Sequence, residues 1–253
     1  MSSFPFLAAL SDKAVNVQYS STNVFRVGQK GMTEDGSLYR LSKAGAAITN
    51  TLAGKINYWR YLTGLTGDIA EAAVAVNIAA GDMSFTITDA TNSRAADYYK
   101  DGYAFIPNSG TYDTMKRVWK SDAEISDTYK IHVTAPFVYA YAAGGTIAVY
   151  PNPYSNVRNA GAYLANYEHF VAFANLPITS GNYFWGLVRG PHWCWITGTW
   201  PGAAASDRQC CFHQNGTVVP VDEKYNAATS EQIAGHLMYS GNYGDALLMV
   251  TLE

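Results

Sequence analysis

Apolar and polar residues alternate with a period of two along most of the chain, and the breaks between alternating stretches carry Gly, Asn, Asp or Pro. That pattern predicts short antiparallel strands joined by turns. The first pair runs from Val24 to Met32 and from Ser37 to Leu41, with Asp35-Gly36 between them. An Asp-Gly pair supplies the positive φ values of a two-residue hairpin turn. Phe25 and Val27 would then share one face, as would Tyr39 and Leu41. In the second pair, Val74, Val76 and Ile78 lead into Ala79-Ala80-Gly81-Asp82, and Met83, Phe85 and Ile87 lead away. The alanine-rich run has helical propensity, but the β-branched residues and the period of two favour a hairpin with six apolar side chains on one face.

Further strands are predicted at Tyr103 to Ile106, Thr111 to Trp119, around Tyr129, Ile131 and Val133, and around Ile147 and Val149. Pro151-Asn152-Pro153 stops the last of these, because proline has no amide to continue a ladder. Val171 to Ala174, Tyr183 to Trp195, Thr217 to Val221 and Leu247 to Leu252 complete the set, with a turn at Ser180-Gly181-Asn182 and a kink at Gly190-Pro191. Phe137 to Ala143 reads as one helical turn, and Ser230 to His236 as a short helix capped by Ser230. No repeat of 20 to 50 residues stands out. The fold class is therefore all-β, a β-barrel or β-sandwich of short antiparallel strands.

Composition narrows what such a fold is for. Of the 253 residues, 15% are charged and 14% aromatic, led by nineteen tyrosines. An ordinary soluble domain carries about 25% charge. Tyrosine suits surfaces that become half buried, which points to extensive interfaces. The formal net charge is −3 and no basic run exceeds a pair such as Lys116 and Arg117, which argues against nucleic acid as a partner. The most apolar segment, Ile69 to Ala80, is interrupted by Glu71 and Asn77, so no membrane span is expected. Residues 1–20, with Phe4, Phe6 and Leu7, read as an apolar arm that docks on a neighbour or on its own domain. A secretory leader fits less well, because no Lys or Arg precedes the apolar stretch and Pro5 interrupts it. Three cysteines, two of them adjacent, make a poor disulfide framework and suggest a reducing compartment. Asn215-Gly216-Thr217 matches a glycosylation acceptor but reads better as a turn.

Chemistry is sparse. His192, Cys194, Cys211 and His213, with Cys210 nearby, are the residue types zinc prefers, and two neighbouring strands could present four ligands. Their spacing matches no C-x-x-C knuckle, so no metal or other cofactor is expected. Hydrolase, zincin, Walker A and dinucleotide-binding signatures are absent from the chain, and no catalytic residue is expected. Asp122, Glu124 and Asp127 lack the glycine and terminal glutamate of a calcium loop. The aromatic run Tyr183, Phe184, Trp185, Trp193, Trp195 and Trp200 has two readings, a carbohydrate-stacking platform or burial in the core or an interface. Alternation sets Trp193 and Trp195 opposite His192 and Cys194.

Four stretches resemble the capsid decoration, or cement, proteins of tailed phages. Val27-Gly28-Gln29-Lys30-Gly31-Met32-Thr33-Glu34-Asp35-Gly36 followed by Leu38-Tyr39-Arg40-Leu41-Ser42-Lys43-Ala44-Gly45 is similar to "V-G-x-x-G-x-T-x-D-G-R-x-F-R-Y-x-x-x-G". Asp101-Gly102-Tyr103 resembles a "D-G-Y" strand, and Asn152-Pro153-Tyr154-Ser155-Asn156-Val157 resembles "N-P-Y-x-x-V". Gly181-Asn182-Tyr183-Phe184-Trp185-Gly186-Leu187-Val188-Arg189-Gly190 is similar to "G-x-Y-G-W-V-Q-T-x-G", departing from it at Phe184 and Arg189. The resemblance implies a β-barrel-like protein made in the host cytoplasm and seated on the capsid surface. It also implies that the chain forms a homotrimer and clamps the major capsid protein. Tyr183, Trp185, Trp193, Trp195, Trp200 and the arm would serve as interfaces. A phage head-fibre or tail protein and a carbohydrate-binding module are the rival readings. The expected organisation is an arm at 1–20, a main β domain from 21–65 and 156–253, and an inserted β domain at 66–155.

Overall fold

The computed structural model describes residues 7–21, 25–50, 52–57, 70–88, 95–106, 114–159, 168–196, 208–213, 215–221, 229–240 and 245–253. The chain divides into two compact units, Met1–Asn57 with Pro153–Glu253, and Tyr58–Asn152. The inserted unit thus begins nearer the N-terminus than the expected 66 and ends at Asn152 in place of 155. In the first unit lie β1 (Ala8–Ala9), α1 (Asp12–Val15), β2 (Gln18–Tyr19), β3 (Lys30–Met32), β4 (Leu38–Lys43) and β5 (Ala53–Asn57). The second unit holds β6 (Ala70–Val74), β7 (Ser84–Thr88), β8 (Tyr103–Ile106), β9 (Thr114–Ser121), β10 (Thr128–Val133) and β11 (Thr146–Tyr150). The chain then returns to the first unit with β12 (Arg158–Asn159), β13 (Glu168–Ala174), β14 (Tyr183–Trp195), β15 (Gln209–His213), β16 (Val218–Pro220), β17 (Thr229–Ser240) and β18 (Asp245–Thr251). The fold is all-β, and α1 is a single turn capped by Ser11.

In the first unit the sheet runs β1-β3-β4-β14-β18-β17-β15-β16, with β5, β12 and β13 attached through β14. The pairs are antiparallel except that β1 adds to β3 in parallel, which docks the N-terminal stretch on its own unit with Leu10 and Val15 buried. The β3–β4 connection differs from the expected two-residue turn. Only Gly36 has positive φ, and the Asp35 carboxylate accepts hydrogen bonds from Thr33 Oγ1, Ser37 Oγ and Ser37 N. A longer turn closed by one glycine results. Tyr39 and Leu41 share one face, as predicted, and both are buried.

Strand β14 changes partner along its length, pairing with β4 up to Arg189 and with β18 from Arg189 to Trp195. The switch falls at the expected kink, where Gly190 has φ 139° and a Cβ would come within 2.6 Å of Ser37 Oγ. Beyond β14, Ile196 bridges in parallel to Val218 of β16, so β14-β18-β17-β15-β16 curls into a near-closed ring. The core inside it includes Cys194, Cys210, Phe212, Val218, Leu237, Leu248 and Val250. Residues Ser230 to His236, expected as a helix, lie within β17. That segment pairs with β15, β18 joins it from Gly235 onward, and Gly235 at φ 146° is incompatible with a helix. Tertiary pairing overrides the weak local helical signal.

The second unit is a closed barrel of six antiparallel strands in the order β10-β7-β6-β11-β8-β9. Strands β8 to β11 follow a Greek key, because β11 returns beside β8. Alternation fills the interior with Phe85 and Ile87, Ala104 and Ile106, Tyr129, Ile131 and Val133, and Ile147 and Val149. The second predicted hairpin is corrected at its tip. Of the six apolar residues, Val74, Ile78, Phe85 and Ile87 are buried, whereas Val76 and Met83 are exposed, because β6 ends at Val74 and β7 starts at Ser84. Phe137 to Ala143 is not helical either. It runs as bends in which Tyr141 bridges Ile78.

One corner recurs in both units. In the first, Ile48 and Ile178 exchange backbone hydrogen bonds of 2.9 and 2.8 Å, and Ala44 exchanges 2.8 Å bonds with Gly181 and Asn182. In the second, Ile78 and Tyr141 exchange bonds of 2.9 and 2.8 Å, and Val74 bonds Gly144 and Gly145 at 2.8 and 2.9 Å. Three of the four loops share an apolar residue followed three positions later by a glycine at φ 84° to 94°: Ile78 to Gly81, Tyr141 to Gly144 and Ile178 to Gly181. That spacing seats one side chain in the core while the glycine turns the chain into the next strand.

Candidate functional site

The histidine and cysteine residues are the natural first candidates for chemistry. Strand β14 carries His192 and Cys194 on its inner side. His192 Nε2 donates to the Asn50 carbonyl at 3.0 Å, and its ring lies 4.7 Å from that of Phe173. Burial, only partly offset by that hydrogen bond, pushes its pKa down to about 4, so the ring is neutral. Burial pushes the Cys194 thiol up to about 12, with Cys210 adding to the effect, and Cys210 likewise to about 12. Cys211 is raised by burial as well. These are neutral packed thiols, whereas a nucleophile or a zinc ligand must be a thiolate.

The four zinc candidates are not brought together. Strands β14 and β15, which carry His192 with Cys194 and Cys211 with His213, are separated in the sheet by β18 and β17. The His213 ring instead sits 2.9 Å from Asn215 Oδ1 in the adjoining turn. Among the described residues, no group of three or more His, Cys, Asp or Glu side chains is placed to hold a metal ion. The expectation of two adjacent ligand-bearing strands therefore fails on topology. The carboxylates of the 122–127 loop serve local structure. Asp122 pairs with Lys120 at 2.7 Å and His132 at 3.1 Å, and Glu124 accepts from the Asp127 amide at 3.0 Å.

The aromatic candidates separate into core and surface. Trp185 is fully buried with Phe25 edge-on to it at 5.3 Å, so it is a core residue and not an interface. Tyr183 is half-buried beneath the Lys43 ammonium at 5.5 Å. Leu7 is exposed. Phe4, Phe6 and Trp200 lie outside the described residues. Trp193 and Trp195 point outward at 50% and 55% exposure. Leu247, in a stretch predicted as a strand, and Tyr239, just beyond the stretch predicted as a helix, join them. Trp193 pairs in register with Leu247 of β18, which pairs with Tyr239 of β17, and the Trp193 and Tyr239 rings meet edge to face at 6.2 Å. A register shift between Leu237 and Tyr239 leaves Met238 as a bulged residue, so Met238 and Tyr239 are both exposed. The outcome is a solvent-facing apolar row across three paired strands. Its signal in the sequence was the Leu-Met-Tyr stretch at 237–239.

A second cluster is electrostatic. The Glu253 carboxylate is held by Arg40 through two bonds of 2.8 Å, by Lys30 at 3.0 Å and by the Tyr154 hydroxyl at 2.8 Å. Arg40 also donates to Gly28 O at 2.7 Å and lies over the Tyr154 ring at 5.5 Å. Partial burial alone would raise the Glu253 pKa. The hydrogen bonds from Arg40, Lys30 and Tyr154 outweigh that and bring it down to about 2. This clamp fastens the residue after β18 to the β3–β4 hairpin. Compared with known proteins, the chain matches no family model, no curated protein and no solved structure.

Proposed function

We propose that this chain is a non-enzymatic structural protein of a virion. In this reading it is a decoration or cement protein that binds the outer capsid surface and stabilises contacts between major capsid proteins. It assembles with copies of itself, as the homotrimer the resemblance implies, and is made in the host cytoplasm before joining the particle. The observation that carries the reading is the apolar row in which exposed Trp193 and Tyr239 flank half-buried Leu247 on a low-charge, all-β framework. A stable surface of that kind is what a protein built to be covered presents. The neutral, packed state of Cys194, Cys210 and His192 supports a structural role for the residues that had the best claim to chemistry. Co-sedimentation of the purified protein with expanded capsids of its parent phage tests the proposal. Saturable binding at symmetric capsid positions is expected, and its absence overturns the decoration reading. Density on a head fibre or tail in a virion reconstruction would reassign the protein to those structures. The half-exposed pair Trp193 and Trp195 keeps a carbohydrate-binding module as the second reading. Glycan binding lost on Trp193→Ala and Trp195→Ala would support it.

A further inference from the structure

The outer face of β14, β18 and β17 has a relief as well as a composition. Trp193 and Trp195 stand about 7 Å apart along β14 and form one ridge. Met238 and Tyr239 form a second ridge on β17, raised by the bulge. Between them, on β18, Leu247 and Met249 are half-buried and make a floor. We propose that this face is where two copies of the chain meet face to face across a two-fold axis that lies between them, parallel to β18.

Three features favour a second copy as the occupant. First, an isologous contact requires a patch that complements itself after a half turn, and two apolar ridges flanking a floor meet that condition, each ridge facing the opposite ridge of the partner copy. Second, Trp193, Trp195 and Tyr239 are 50%, 55% and 59% exposed and Met238 49%. With aromatic side chains of about 150–250 Å², these residues leave on the order of 400 Å² of apolar surface, the size of the largest patch on a typical monomer, which is often a functional one. A standard interface covers about 800 Å² per partner with an apolar centre and a polar rim, so the patch is the right size for that centre. Third, the exposed charge at Arg189 lies at one end of the face, so the centre made by Trp193, Leu247 and Tyr239 is uncharged, as an apolar centre with a polar rim requires. Sheets pack this way at about 10 Å with their ridges interleaved. The aliphatic content, Leu247, Met238 and Met249, fits a protein surface better than a sugar chain, which stacks on rings but needs polar partners at its hydroxyls.

The contact goes beyond the capsid reading and does not depend on it. Its test is light scattering coupled to size exclusion at micromolar concentration on the full chain and on the double variant Trp193→Ser with Tyr239→Ser. Circular dichroism checks that the variant remains folded. Both residues are exposed, so the fold should hold, and Trp195→Ser serves as an independent second variant. A dimer, or a hexamer where the two-fold joins two of the proposed trimers, is expected, with a mass that halves in the variants and acrylamide quenching of tryptophan emission that rises when the assembly splits. A monomeric wild type, or an oligomer whose mass the substitutions leave unchanged, overturns the proposal. So does a monomer that acquires protection at this face only on capsids or on a glycan. Capsid co-sedimentation is scored separately: a dimer that ignores capsids retains this contact while the decoration reading fails, and the reverse result separates them in the other direction.

Discussion

Replacing Glu253 by glutamine tests the electrostatic clamp at the end of β18. The carboxylate pKa falls from an ordinary 4.5 to about 2. Converted at 1.36 kcal/mol per unit, that difference would be an upper bound of about 3 kcal/mol. Its side chain remains 24% exposed, with Arg40 at 22% and Lys30 at 44%, so solvent screening reduces the expected effect to about 1–2 kcal/mol. The sign follows from the depressed folded value. The stabilisation is fully present above the unfolded pKa of 4.5 and is lost as pH falls through that value toward 2. Glutamine keeps the shape and one acceptor oxygen but leaves Arg40 and Lys30 facing each other without a counter-charge. Urea unfolding of wild type and Glu253→Gln at pH 7 should differ by about 1–2 kcal/mol, and the gap should shrink in high salt and close at low pH. A variant as stable as wild type at pH 7, or a difference that persists undiminished near pH 2, would refute the reasoning.

Tryptophan substitutions should split by location: Trp185→Ala is expected to cost about 3–5 kcal/mol through the cavity it leaves, and Trp193→Ala under about 1 kcal/mol, both read by denaturant midpoints. Gly235→Ala should be among the most damaging changes, because its φ is 146° and a Cβ would overlap the Met249 carbonyl, whereas Gly36→Ala meets no neighbour and should cost about 1 kcal/mol. Equal losses at the two glycines would sink that argument. Native Cys194 and Cys210 should resist Ellman's reagent at pH 9, where a thiol of pKa about 12 is neutral, and react once urea unfolds the chain. His192, neutral in the fold with a pKa of about 4 against 6.5, should draw stability down as pH falls from 6.5 toward 4, and His192→Gln should flatten that part of the profile.

Much of the strand layout was legible because alternation and burial coincide. Tyr129, Ile131 and Val133 alternate in sequence and fill the barrel, and Tyr183 to Trp195 is a strand from end to end. The failures share one physical cause, namely that pairing partners lie far away along the chain. Val76 and Met83 fit the period of two but stand outside the ladder, because a loop corner held by Ile78 and Tyr141 takes the chain out of the sheet first. Ser230 to His236 has a serviceable helix start, and nothing local reveals that β15 will pair along it and β18 at its end. The corner escaped notice as a repeat because only an apolar residue, a three-residue step and a glycine are common to its loops, and backbone hydrogen bonds do the remainder.

The site was legible in proportion to how local its geometry is. Outward Trp193 and inward Cys194 follow from the pleat of one strand alone, so the sequence suffices for them. Whether the zinc candidates converge depends on strand order, and β18 and β17 lie between the strands that carry them. Likewise the apolar row needs β14, β18 and β17 side by side, plus a bulge that turns Met238 out beside Tyr239, and neither the neighbours nor the bulge can be read from alternation. A sheet therefore hides the make-up of its faces from sequence in a way a helix does not. On a helix, residues three and four apart form the face, while here residues 193, 247 and 239 form it. Low charge and abundant tyrosine read in the sequence as a sign of interfaces, and the topology determines which apolar residues stand together at the surface.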